Sequence, residues 1–138
     1  MAFNYNSIST SHAYMATIAG LILVIQPSVL FSFLDMEVSP SVVLVGRLFG
    51  AFLVGLSAAI YSTKDLSGAD IPIVLVVGNA AVDFVTTMIF LQAGFAETVN
   101  WIGFILAGLF FTNFISWLIV IAQYSKAKQN QKSQLSPS

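Results

Sequence analysis

A chain of 138 residues that is 57% hydrophobic and only 8% charged cannot cover a water-soluble domain with polar groups. Its net charge of −1 offers no field for nucleic acid, and the absence of cysteine excludes disulfides, thiolate catalysis and thiolate metal sites. Lipid as the solvent accounts for such a composition, so the first expected partner is the bilayer.

The N-terminal stretch MAFNYNSISTSH carries no lysine or arginine. The apolar run after it, 13–34, is longer than a signal-peptide core. It ends in FSFLDME, a poor cleavage site, so it reads as a retained helix. Three further apolar runs follow at 42–61, 71–93 and 99–124, each near the roughly 20 residues that cross a hydrocarbon core. The linkers are short, which makes consecutive helices antiparallel neighbours. The sequence thus predicts an all-α membrane protein, an antiparallel four-helix transmembrane bundle filling residues 1–125. The Lys/Gln/Ser-rich tail, 126–138, reads as disordered.

Lys64, Lys126, Lys128 and Lys132 fall on the side of the two termini, while Asp35, Glu37 and Glu97 fall on the other. The positive-inside rule places both termini in the cytoplasm, in a plasma or inner membrane. Arg47, toward the outer end of the second helix, is the one dissent.

Taken helix by helix, the polar residues are few. In the first helix, Gln26-Pro27 predicts a kink, and His12 just before it reads as a solvated cap at the inner interface rather than a metal ligand. The second helix carries Arg47, the protein's only arginine, and three glycines, Gly46, Gly50 and Gly55. The third has Asn79 and Asp83 one turn apart, with Thr86 and Thr87 below. The fourth holds Asn113 among aromatic residues. Counting at 1.5 Å per residue places Arg47 roughly 9 Å and Asp83 roughly 15 Å from the outer boundary, a difference an arginine side chain spans. These depths predict one interior cluster of Gln26, Arg47, Asn79, Asp83 and Asn113, built on an Arg47–Asp83 pair.

That cluster has two readings. The pair neutralises itself and fixes helix register, or it forms a site for a ligand, proton or headgroup, as intramembrane ionisable residues do by default. If Arg47 instead snorkels outward to lipid phosphate, Asp83 is left as a proton carrier. Gly46-xxx-Gly50 and Gly55-xxx-Ala59 let another helix approach the second one closely, within the bundle or across a subunit interface. A 57-residue shift lays Gly46 and Gly50 on Gly103 and Ala107, and Gln26 on Asp83, a faint parallel repeat.

The stretch VSPSVVLVGRLFGAFLVGLSAAIY, with its Arg47-Leu48-Phe49-Gly50 element, resembles the second helix of small bacterial four-helix membrane proteins of unknown function. The same Arg-x-x-Gly is similar to that of the scaffold proteins of eukaryotic sterol biosynthesis. The likeness covers one helix and its preceding turn, and it implies an accessory or scaffold role. Small multidrug-resistance transporters fit less well, because they rely on a glutamate in the first helix, which here has no acid. No constellation of catalytic type, no cofactor site and no multi-histidine metal site is expected. The expectation is a non-enzymatic accessory or scaffold subunit, as a homo-oligomer or bound to a membrane-protein partner. The alternatives are a proton-coupled transporter or channel using Asp83, and a pigment- or lipid-binding subunit.

Overall fold

The computed structural model describes residues 4–135. Five α-helices make up most of the fold: α1 (Tyr5–Ile25), α2 (Pro27–Phe33), α3 (Pro40–Ser62), α4 (Ile73–Phe95) and α5 (Ile102–Leu135). No strand occurs among the described residues. By length and composition α1, α3, α4 and α5 are each able to cross a membrane.

Helix α1 begins eight residues earlier than the apolar run. Asn4 caps it by accepting a hydrogen bond from the Ser7 N–H at 2.8 Å, and Ser9 returns its hydroxyl to the Asn6 carbonyl at 3.1 Å. Pro27 does more than kink the chain. Gln26 leaves helical geometry at φ −146°, ψ 67°, and Pro27 starts α2 from its first position, where its missing N–H costs nothing. At the C-terminus the expected disordered tail is helical as far as Leu135; its last three residues lie outside the described ones. Lysine, glutamine and alanine are good helix formers, and extending an existing helix carries no nucleation cost.

The helices pack as two pairs, α1 on α3 and α4 on α5. In the first pair Tyr5 Oη meets Thr63 Oγ1 at 2.7 Å, and Thr17 Oγ1 meets Ser57 Oγ at 2.8 Å. Gly20 and Gly50 lie backbone against backbone: a Cβ on Gly50 would sit 2.6 Å from the Gly20 carbonyl oxygen. Gly46 lies against Phe31 and Pro27, while Gly55 faces open space. In the second pair Phe90 stacks on Phe110 and Phe84 tilts against Phe114. The two halves are not equivalent at their polar positions, since Gln26 is exposed at a helix break and Asp83 is buried inside α4.

One end of the molecule holds the start of α1, the α3–α4 connection and the lysine-bearing stretch of α5. There Asn6 Nδ2 donates to Asp65 Oδ1 at 2.9 Å, and Gly68 lies beside Ala127. A hydrogen bond to Asp65 raises the Lys64 ammonium above the ordinary lysine pKa. At the other end Asn100 ties the two pairs together, donating through its side chain to the Phe33 carbonyl at 2.9 Å and to Asp35 Oδ2 at 3.1 Å. Asp35 and Glu97 end their helices in left-handed conformation, φ 57° and 56°. In both caps the next N–H reaches back five residues, from Met36 to Phe31 and from Thr98 to Ala93.

The tightest core sits toward the lysine-bearing end, where Tyr5, Ile60, Val76, Trp117 and Val120 are buried. Toward the acidic end the pairs enclose an apolar cleft of about 490 Å³ instead.

Candidate functional site

His12 and Asp83 meet between the two helix pairs. The residues buried early in α1 are Tyr5, Ile8, Ser9, His12 and Ala13, the spacing of one helical face. In α4 they include Val76, Asn79, Ala80, Asp83 and Thr87. These faces bring His12 Nε2 to 3.3 Å from Asp83 Oδ2, with His12 only 9% and Asp83 2% exposed. The separation is that of an ion pair, but the approach is off the hydrogen-bond line, and Asp83 Oδ2 has no hydrogen-bond partner. Trp117 from α5 stands edge-on to the imidazole, with centroids 5.2 Å apart.

Around this pair the polar atoms are under-used. Asn79 donates through Nδ2 to the Leu75 carbonyl at 2.8 Å, which leaves its Oδ1 unpartnered. His12 Nδ1 and Trp117 Nε1 are also buried without partners. Thr87 donates to the backbone carbonyl of Asp83 at 2.8 Å and so does not reach the carboxylate. Buried polar atoms are nearly always paired, so several orphans together mark a place that something else occupies. His12, Asn79 and Asp83 line a cavity of about 140 Å³, largely apolar, to which Thr86 and Asn113 add their side chains; Trp117 lies outside its lining. The volume is far above the ~15 Å³ that admits one water.

The structure thus brings Asn79, Asp83 and Asn113 to one cavity and leaves out the other two residues of the expected cluster. Gln26 is exposed at the break between α1 and α2. Arg47 is exposed on α3 and forms no ion pair or hydrogen bond among the described residues. The partner of Asp83 is His12, the residue expected to be a solvated cap. The earlier start of α1 accounts for the change, because it moves His12 from the first residue before a helix to the eighth residue within one. The signal was present in the stripe Tyr5, Ile8, Ser9, His12, Ala13, masked by the hydroxyl and amide residues between.

Chemically, the site offers two acceptor oxygens in Asp83 Oδ2 and Asn79 Oδ1, and an imidazole able to gain or lose a proton. His12 and Asp83 are metal-type donors, but among the described residues no third His, Cys, Asp or Glu joins them. No family model, curated protein or solved structure matches this chain.

Proposed function

We propose that this chain is an antiparallel four-span integral membrane protein with both termini cytoplasmic, acting as a proton-coupled transporter with His12–Asp83 as its protonatable centre. The observation that carries the reading is the buried pair at 3.3 Å, with Asp83 Oδ2, His12 Nδ1 and Asn79 Oδ1 lacking hydrogen-bond partners on residues that line one cavity. A pair serving only as glue within a bilayer favours full satisfaction, because each unpaired group in hydrocarbon costs several kcal/mol. His12 lies seven residues into α1 and Asp83 ten into α4, roughly 10 and 15 Å along helices that cross about 30 Å of hydrocarbon. Proton-carrying side chains of pumps and transporters sit at such depths. Helix contacts concentrate within α1–α3 and within α4–α5, which leaves the seam between the pairs as the natural place for opening.

The accessory or scaffold role draws less support from this geometry. Its carrier was Arg47-x-x-Gly50, and Gly50 is taken up by the chain's own α1.

Proteoliposomes containing a pH-sensitive dye test the reading. Proton movement is followed under a potassium diffusion potential and, separately, under imposed gradients of ammonium and alkylammonium ions. Asp83→Asn is expected to reduce the protein-dependent movement at least tenfold, and His12→Gln to shift its pH dependence. Movement in Asp83→Asn equal to the parent under every gradient would overturn the proposal.

A further inference from the structure

The apolar cleft and the smaller cavity beside His12 and Asp83 are consecutive stretches of one seam. The cleft is lined by Leu23 of α1, Val42 to Phe49 of α3, and Ile89, Phe90 and Ala93 of α4. The cavity is lined by His12 to Ala19 of α1, Phe49 to Leu56 of α3, and Asn79 to Thr86 of α4. On all three helices the cavity stops and the cleft begins within about one turn, and Phe49 belongs to both walls. Apart from Ser41 the cleft offers only apolar side chains, and its roughly 490 Å³ is more than three times the volume of the cavity, about 140 Å³. The seam is therefore apolar for most of its length, a long greasy arm near the acidic end and then a smaller cavity at mid-helix, with one polar patch where His12, Asn79 and Asp83 line the cavity.

We propose that this seam binds a single-tailed amphipath with an ammonium head, the head between Asp83 and Asn79 and the tail running past Phe49 into the apolar cleft. This names the substrate class of the site proposed above and rests on that reading. The head is specified by the pocket's acceptors. Asp83 Oδ2, which meets His12 Nε2 at 3.3 Å off the hydrogen-bond line, and Asn79 Oδ1 are oxygens without a hydrogen-bond partner on buried side chains, 2% exposed in each case, and an ammonium supplies donors to both and a positive charge to the carboxylate. A carboxylate or phosphate head would meet Asp83 with like charge. The tail is specified by the cleft, whose burial of each methylene contributes about 0.8 kcal/mol. His12 on α1 and Asp83 on α4 are the titratable side chains lining the pocket; α3 brings Phe49, Leu53 and Leu56, and α5 brings Leu106, Phe110 and Asn113. An arriving ammonium and a protonated imidazole thus compete for one carboxylate. As the ammonium binds, the imidazole releases its proton to water and the charge of the site is unchanged, which is the exchange a cation–proton carrier needs.

The experiment uses the full chain in phosphatidylcholine nanodiscs. Trp101 and Trp117 are the only tryptophans, so Trp101→Phe leaves Trp117, edge-on to His12, as the single reporter. Dodecylammonium is expected to change its fluorescence saturably. Hexylammonium should bind at least tenfold more weakly, and dodecanoate should give no saturable response. Asp83→Asn should weaken dodecylammonium at least tenfold. Ala93→Phe, which fills the cleft without touching the pocket, should bring dodecylammonium down to the hexylammonium level. If Asp83→Asn does not fold, His12→Gln and Ala93→Phe carry the test. A non-saturable response, equal binding of dodecanoate, or insensitivity to both the pocket and the cleft variants overturns the proposal. Binding without proton flux would refute transport and leave this site standing. Asp83-dependent proton flux without binding would do the reverse.

Discussion

A carboxylate with 2% exposure is costly to bury without a polar neighbour, and here that neighbour is an imidazole from another helix. Coupling between His12 and Asp83 is therefore expected in a double-mutant cycle of His12→Leu and Asp83→Leu, at about 1–3 kcal/mol in thermal or denaturant unfolding in detergent. Arg47→Ala is expected to change stability by less than ~0.5 kcal/mol and to add to Asp83→Leu without coupling. The opposite pattern, coupling to Arg47 and none to His12, would restore the pairing inferred from depth and remove the site described here. The sequence made the acid conspicuous, because Asp83 is the one carboxylate inside an apolar run. Its partner was hidden for a physical reason. Serine, threonine and asparagine read as non-helical, yet in α1 Ser9 satisfies itself on the Asn6 carbonyl and Asn4 closes the helix end. Once those turns are helical, His12 faces inward and the depth count that favoured Arg47 no longer applies.

At the scale of elements, α1 and α3 meet backbone against backbone at Gly20 and Gly50. A methyl on Gly50 would lie 2.6 Å from the Gly20 oxygen and 2.7 Å from Leu23 Cβ, so the backbones must separate to admit it. Gly50→Ala is expected to cost about 1–3 kcal/mol, as overpacking does. Gly55→Ala meets nothing within 4 Å and is expected to stabilise α3 by up to ~1 kcal/mol through helix propensity. Thermal unfolding of the two variants side by side checks both signs; equal losses would mean that α1 and α3 do not pack as described. Four long helices were legible in the sequence because apolar runs of spanning length need no periodicity to be seen. The helix ends were less so. Gln26-Pro27 reads equally as a kink or a break, and only the packing of Pro27 and Phe31 against Gly46 decides for the break. The continuation of α5 to Leu135 was obscured by polar composition, although lysine and glutamine extend a helix readily once it exists.

For the whole molecule, charge and geometry divide the ends in the same way. Contacts of Asn6 with Asp65 and of Gly68 with Ala127 gather the start of α1, Lys64 and the lysine-bearing stretch of α5 at one end. Asn100 gathers Phe33, Asp35 and the α4–α5 connection at the other. Positive side chains near span ends are retained in the cytoplasm, so the end with Lys64, Lys126, Lys128 and Lys132 is expected to face inward. Arg47 is a single opposing charge and is outnumbered four to one by lysines. The absence of cysteine makes a direct measurement possible, since any introduced thiol is unique. Ser67→Cys and Thr98→Cys place that thiol at the two ends in exposed connections. In intact cells a membrane-impermeant maleimide is expected to label Thr98→Cys, and to label Ser67→Cys only after permeabilisation. The reverse pattern would invert the protein. The apolar cleft would then open toward the cytoplasmic leaflet, and the proposed amphipath would have to enter from that side.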